Sequence, residues 1–488
     1  MRSNFRLWLI PRTQDLFFVL FFVAVLALGT RMLNLDGDLP RHLLMGKYVL
    51  ENRTVPTTEL FIYPYIGQPY VPHEWLTDVL FYLIYSCWGW AGLVLLAAFL
   101  LAITFTLLYR GLADRLQIRL LIMILVAWGA IATSLNWAIR PHLISMCILS
   151  LWLMWADDLQ RGKKFPVWLF PAVMLLWSNV HGEFIAGILV LAAYAFGWLV
   201  EYLFDRPQTE LNIGKNIWLA FILSTAASLL NPSGAGPWLS IFGFVNNDYL
   251  MSRMVEANAP NFQNPDMLVY FSLLAMSIVL LAIKNTRLSL GQGFLLAGFS
   301  VMSLMAIRNI HLYGIVAPFV LADTLEGIRS YPVINRLELA MENLEGQSKW
   351  FSWLGVAAIT LSSLFIIDHD AQGLYQLKEP VFPIRAVAWL ERNPQQGNMF
   401  NDLNWGGYLG LHLWPDHLPF IDSMADTTGL VTRNYESIMT LRAGWQELFK
   451  ENEITWAIIP PKWELATELM AQGWKTVYQD QTAVILIR

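Results

Sequence analysis

Residues 16–33, LFFVLFFVAVLALGTRML, run directly into residues 34–38, NLDGD. The first stretch has the length, roughly 17–25 residues, that a helix needs to cross a bilayer core. It ends on an Asp-x-Asp pair, Asp36 and Asp38, at the point where the chain meets water. A carboxylate at the centre of a spanning helix costs about 2.5–3.5 kcal/mol on insertion scales. At the boundary the cost is small, and the charge is free for chemistry at the membrane surface. The pair is therefore the leading candidate for the chemical centre of the chain.

The composition extends this reading to the whole protein. The 488 residues are 56% hydrophobic and 14% charged, against about 25% charged in an ordinary soluble chain. The chain reads as a polytopic α-helical membrane protein. Its 22 Trp and 17 Tyr suit the aromatic belts of two membrane interfaces. The net charge of −5 gives no argument for nucleic acid as a partner. Cys87 and Cys147 both fall in apolar segments, so no disulfide framework is expected. The N-terminal run is too long for a cleaved signal peptide and reads as an uncleaved first span.

Hydropathy gives about eleven spans, near 15–33, 77–109, 120–137, 142–156, 166–180, 184–204, 216–230, 267–283, 289–307, 311–327 and 350–367. The segment 77–109 is long enough for an interfacial helix followed by a span. Basic residues collect in alternate loops, among them Arg12, Arg110, Arg115, Arg161, Lys163, Lys284 and Arg329. The positive-inside rule makes that face cytoplasmic, with the N-terminus on it and the chain in a plasma (inner) membrane. All eight histidines, His42, His73, His142, His181, His311, His369, His412 and His417, then fall on the opposite face. So do Asp36, Asp38, Glu74, Arg140, Glu183, Asn231 and Arg308. Polar residues from the ends of many spans converging on one face read as an extracytoplasmic site.

Two domains are expected: a transmembrane domain over 1–367 and a small α/β domain over 368–488. The first outer loop, 34–76, holds PRHLLMGKYVLEN (40–52), whose apolar pattern suits a helix lying in the interface. A second outer loop from Asn231 to about Asp266 carries Glu256. After Asp368, Phe382–Arg392, 434–451 and 462–472 read as helices. Asn398–Phe400, Leu418–Ile421, Thr455–Ile459, Trp474–Tyr478 and Thr482–Ile487 read as strands. An odd number of spans puts this C-terminal domain outside the cell.

These features resemble the C-type glycosyltransferase superfamily, in particular a bacterial and archaeal multi-span branch of largely uncharacterised members. Asp36, Asp38, His42, Leu43, Gly46 and His73-Glu74-Trp75-Leu76 match the branch pattern. Pro40-Arg41 stands where the branch has an aromatic pair. Arg140-Pro141, Asn179-Val180-His181-Gly182, Asn231-Pro232, Arg308-Asn309, Asn404-Trp405-Gly406-Gly407-Tyr408 and Phe420-Ile421-Asp422 extend the match over most of the chain. The resemblance implies transfer of a sugar from a polyprenyl-phosphate-linked donor to an extracytoplasmic acceptor, which is a lipid, a glycan or a protein.

Displacing a polyprenyl phosphate from an anomeric carbon needs a base or orienting carboxylate for the acceptor hydroxyl. It also needs cationic or metal-bound groups for the leaving phosphate. The resemblance puts Asp38 first as base, with Asp36 beside it to orient the acceptor or to share a divalent cation, Mg or Mn. The competing reading of Asp38 is a helix N-cap, favoured by Pro40 just inside the helix. Arg140 and Arg308 are candidates for phosphate contact, against the alternative of arginines snorkelling to the headgroups. His42, His73, Glu74, His181, Glu183 and Glu256 complete the candidate substrate-binding set, although their spacing matches no established metal signature. Asp422, at a strand end, reads as a turn carboxylate or a ligand contact. Two other activities fit the composition. One is a ligase or polymerase of lipid-linked glycans. The other is a transporter or flippase for lipid-linked or small solutes, which would favour mid-membrane charges and inverted repeats.

Overall fold

A computed structural model describes residues 12–116, 118–204, 211–282, 288–325, 331–346, 353–368, 373–424 and 429–488. Six helices among them are long and apolar enough to cross a membrane: Thr13–Leu33, Trp75–Leu116, Arg119–Asn136, His142–Gln160, Phe184–Leu203 and Pro265–Ala282. Leu169–Val180, Gly236–Val245 and Leu290–Met305 are shorter apolar helices. The protein is thus a mostly helical membrane protein with one small sheet.

The helix Thr13–Leu33 (α1) is the span expected from the opening stretch. Asp38–Asn52 (α2) is the short helix expected in the first loop. Trp75–Leu116 (α3) is one 42-residue helix interrupted at Gly89, whose φ of +60° is open to glycine at little cost. Arg119–Thr133 (α4) and His142–Gln160 (α5) follow, then Leu169–Val180 (α6) and Phe184–Leu203 (α7). The loop expected over 231–266 contains an apolar ten-residue helix, Gly236–Val245 (α8). The segment expected to span at 311–327 is described as a twelve-residue helix, Ile310–Leu321 (α9). Every residue of α9 is buried. Neighbouring helices enclose it, and all of its residues but His311 and Tyr313 are free of polar side-chain groups.

Helix α5 supplies a ruler for the molecule. Its 19 residues cover about 28 Å at 1.5 Å per residue. Arg140 lies just before its first turn and Arg161 caps its last. At the Arg161 end, Arg161 pairs with Asp157 at 2.7 Å and with Asp323 at 3.1 Å, and Arg115 also pairs with Asp323. At the Arg140 end lie the first loop and its carboxylates. Two charged clusters therefore sit at opposite ends of one bundle.

The C-terminal segment forms a four-stranded sheet from Asn398–Asn401 (β1), Ile454–Ile459 (β2), Lys475–Gln479 (β3) and Val484–Ile487 (β4). The order is β1-β2-β4-β3, with β1 and β2 parallel and the other pairs antiparallel. Residues 418–421, expected as a strand, join no ladder. Instead the Asn401 side chain accepts from the Phe420 N–H at 2.8 Å and donates to the Ile421 carbonyl at 2.8 Å. One amide thus satisfies the buried backbone that a ladder would otherwise serve. The helix expected over 434–451 is split into Leu430–Met439 and Trp445–Glu451, with positive φ at Leu441 and Gly444 between them.

This sheet unit is locked onto α2. Gly37 and Gly407 allow the close approach: a Cβ on Gly37 would fall 2.1 Å from the Asn404 carbonyl, and one on Gly407 would fall 2.9 Å from the Gly37 carbonyl. Arg41 is the bolt. Its Nε donates to Asp422 Oδ2 at 2.6 Å, its Nη2 reaches Glu59 Oε1 at 3.2 Å, and its guanidinium lies 4.3 Å from the Phe61 ring centroid. The Arg41 and Glu59 side chains are 1% and 2% exposed. Burial pushes the Asp422 carboxyl up to about 6 despite Arg41. Asp422 is thus a structural partner of the first loop. The other face of α2 packs on α3. His42 Nδ1 is 2.7 Å from Asp78 Oδ1, and Gly46 leaves room for the Asp78 carbonyl.

Removing one member of a buried ion pair costs about 3–5 kcal/mol. Arg41→Ala is expected to lower stability by that amount, read as the unfolding temperature in detergent. Arg41→Met combined with Glu59→Gln and Asp422→Asn should recover most of the loss. Burial opposes the charge on His42, but Asp78, Glu74 and Asp38 outweigh it and push its pKa up to about 9. The raised value means that the charged imidazole stabilises the fold fully below about pH 6.5. That contribution is lost as pH rises through 9. The unfolding temperature should fall over this window, and His42→Gln should flatten the fall.

Candidate functional site

The site forms where α2, α5 and two loop turns meet. Asp36 and Asp38 act differently despite their adjacency. Asp36 Oδ1 accepts the backbone N–H of Asp38 at 3.0 Å and so satisfies the opening of α2. The N-cap position itself is Gly37, which has no side chain to cap with, and the Asp38 carboxylate points elsewhere, 2.8 Å from Arg140 Nη2. The second oxygen of Asp36 accepts from Arg140 Nε at 2.9 Å. Burial and the neighbouring Asp38 raise the Asp36 carboxyl above the usual range, against the pull of Arg140.

Glu256 enters from the one-turn 3₁₀ helix Val255–Ala257 and accepts from Arg140 Nη1 at 2.9 Å. Its other oxygen is 3.7 Å from Arg308 Nη2. Arg308 sits in a second such turn, Ile307–Asn309. The Ile307 N–H donates to the Asn258 carbonyl at 3.0 Å, which ties the two turns together. Arg308 is 41% exposed, and its guanidinium lies 5.6 Å from the Phe244 ring centroid of α8. Of the two arginines, Arg140 is enclosed by carboxylates and Arg308 faces outward.

Beneath this cluster runs a second one, built from imidazoles alternating with carboxylates. Glu74 Oε1 lies 3.2 Å from His181 Nε2 and 3.7 Å from His73 Nε2. Glu74 Oε2 lies 3.9 Å from His42 Nδ1. Glu183 is 3.4 Å from His181 Nδ1 and 2.7 Å from His311 Nε2, the latter off the line of a hydrogen bond. The His142 and His311 rings are 5.2 Å apart. Burial works to raise Glu74, but His73, His181 and His42 hold it below the usual range. Burial likewise opposes the His181 charge, yet Glu183 and Glu74 raise its pKa. Asn179 fixes the geometry. Its carbonyl oxygen accepts from Trp75 Nε1 at 2.9 Å, and its amide donates to the Leu230 carbonyl at 3.1 Å. The Asn-Val-His-Gly stretch therefore joins three helix ends.

All ten candidate residues fall in these two adjoining clusters. Of the eight histidines, five lie in the lower cluster; His412 and His417 lie in the C-terminal unit, and His369 lies outside the described residues. Asp78 and Arg41 are not among the candidate site residues read from the sequence. Asp78 was visible four residues after Glu74 on one helix face. Arg41 gave no periodic signal, because its partners are remote in sequence.

The residues present do not fit a divalent cation shared by Asp36 and Asp38, one of the roles the sequence left open to them. Among the described residues, no group of three or more His, Cys, Asp or Glu is placed to hold a metal ion. Asp36 and Asp38 direct oxygens at the Arg140 guanidinium instead.

No protein-family model matches the sequence, and no curated protein matches it. Solved structures do match in fold. The archaeal oligosaccharyltransferase AglB from Archaeoglobus fulgidus, in complex with an inhibitory peptide and a dolichol-phosphate, superposes with a TM-score of 0.58 at 12% identity. The match covers 93% of this chain and 70% of that one. The Archaeoglobus fulgidus oligosaccharyltransferase in its apo form gives a TM-score of 0.57 at 11% identity, covering 90% of this chain and 69% of that one. The same enzyme tethered to an acceptor peptide containing the NVT sequon gives 0.55 at 11% identity, covering 90% and 68%. The chain therefore shares its fold with these oligosaccharyltransferase structures.

Proposed function

We propose that this protein is an integral membrane glycosyltransferase that moves a sugar from a polyprenyl-phosphate-linked donor to an acceptor outside the cytoplasm. One observation carries the reading. Asp36, Asp38, Arg140, Glu256 and Arg308 converge from four separate segments at one end of the bundle, within a fold shared with an enzyme solved with dolichol-phosphate. Transporters favour charge near the mid-plane. Here the carboxylates gather at a helix end, which supports the enzyme.

In this reading the membrane is crossed about eleven times, with the N-terminus cytoplasmic. Residues 1–367 form the catalytic membrane domain. Residues 368–488 form an extracytoplasmic domain that selects the acceptor. The structures solved with peptides make a peptide acceptor a class to test beside lipids and glycans.

Each residue then has a task. Arg308, outward-facing, binds the donor phosphate, and Arg140 stands behind it. Asp38 takes the proton of the acceptor hydroxyl. The acceptor oxygen bonds the anomeric carbon as the carbon–oxygen bond to the phosphate breaks, and polyprenyl phosphate leaves with the electron pair. Asp36 holds Asp38 and Arg140 in place. The lower cluster, Glu74, His181, Glu183, His42 and His73, fixes the helix ends that carry them.

The test is transfer in liposomes from a panel of radiolabelled polyprenyl-phosphate sugars. The wild type should transfer from at least one donor. Asp38→Asn should lose about 10²–10⁴ in rate, the range for one general base, at an unchanged unfolding temperature. Transfer from no donor, or an unaffected Asp38→Asn, would overturn the reading. Arg308→Gln should cost about 10–100-fold in kcat/KM, mostly through donor KM, since hydrogen bonds to charged groups contribute about 1.5–3 kcal/mol. Arg308→Lys should retain part of the binding.

A further inference from the structure

The geometry around Arg140 goes beyond an arginine that touches a phosphate. Its three guanidinium nitrogens each meet a different carboxylate: Nε meets Asp36 at 2.9 Å, Nη2 meets Asp38 at 2.8 Å and Nη1 meets Glu256 at 2.9 Å. These carboxylates come from the first loop, the start of α2 and a turn more than two hundred residues away. Three converging carboxylates are the usual way to hold a hard divalent cation, with oxygens about 2.0–2.6 Å from the ion. Here the centre of the set is a side chain. The guanidinium is planar and permanently charged, and its donors are fixed in direction. A divalent ion among the same oxygens would have to displace that charge or sit against it. The Asp36 carboxylate is committed on both sides, one oxygen to Arg140 and the other to the N–H of Asp38.

We infer that Arg140 is the resident cation of this site and takes the place of a divalent metal ion, drawing Asp36, Asp38 and Glu256 together without one. The inference deepens the proposed glycosyl transfer, in which Arg140 supplies positive charge behind the donor phosphate. Its geometric core, a guanidinium in a carboxylate set, stands apart from the identity of the substrate.

The measurement is Mn²⁺ binding to the full-length protein in detergent, read by electron paramagnetic resonance. The wild type should show no Mn²⁺ site that depends on Asp36 or Asp38. Arg140→Ala removes the charge and leaves the three carboxylates. It should bind Mn²⁺ at least about tenfold more tightly than the wild type, a difference of about 1.4 kcal/mol. Asp38→Asn in the Arg140→Ala background should abolish the gain. Arg140→Lys, which restores a cation, should not show it. A wild-type Mn²⁺ site lost in Asp38→Asn would overturn the inference. So would a folded Arg140→Ala that gains no binding. If Arg140→Ala does not fold, the comparison of wild type with Asp38→Asn still decides. No donor or acceptor is present in this experiment, so a failure of transfer in liposomes would count against the proposed function and leave this result standing.

Discussion

Three carboxylates gathered at one helix end repel each other unless a cation lies among them, and in this protein the cation is Arg140. Two like charges a few ångströms apart in a partly buried setting disfavour their own ionisation. Burial first, and then the neighbouring Asp38, raise the Asp36 carboxyl. Arg140 enters from the turn before α5 and meets all three acids at 2.8–2.9 Å. The position of the first loop, of the Glu256 turn and, through it, of Arg308 depends on this contact. Arg140 is held by α5, the same helix whose far end anchors the opposite charged cluster.

A second lock operates from the other side of α2. Arg41 ties the first loop to residue 422 of the C-terminal unit, and the glycines at 37 and 407 let the two backbones touch. The segment leading into that unit straps the end of α1. The Thr30 hydroxyl donates to the Leu374 carbonyl at 2.7 Å, and the Lys378 N–H donates to Asn34 Oδ1 at 2.6 Å. A further contact joins the C-terminal unit to the loop that carries Glu256, where Arg253 pairs with Glu436 at 2.7 Å. The C-terminal unit therefore touches both sequence regions that supply carboxylates to Arg140. In the proposed function, an acceptor held there would sit beside the reacting groups.

Much of this was legible in the sequence because membrane insertion leaves few alternatives. A run such as 16–33 has to be a spanning helix, and charges are tolerated at its end. The site residues were found because rare polar groups stand out at the ends of apolar helices. Reading failed where the signal was not periodic. Residues 419–421 are buried like a strand, but the Asn401 side chain takes the ladder's role. The resemblance put Asp38 ahead of Asp36 as base, while Asp38 also read as a helix cap. Geometry gives the first helical N–H to Asp36 and brings both carboxylates to Arg140. The pairing of Arg41 with Asp422 spans most of the chain, which no local pattern encodes.

The central claim is that the end of the bundle bearing Arg140 and Arg308 receives a polyprenyl phosphate. The most direct measurement is photocrosslinking with a polyprenyl phosphate carrying its reactive group next to the phosphate, followed by mass-spectrometric mapping. The account predicts saturable labelling of the turns at 255–258 and 306–310, competed by unlabelled polyprenyl phosphate. Labelling confined to the opposite end, around Arg115, Arg161 and Asp323, would contradict it.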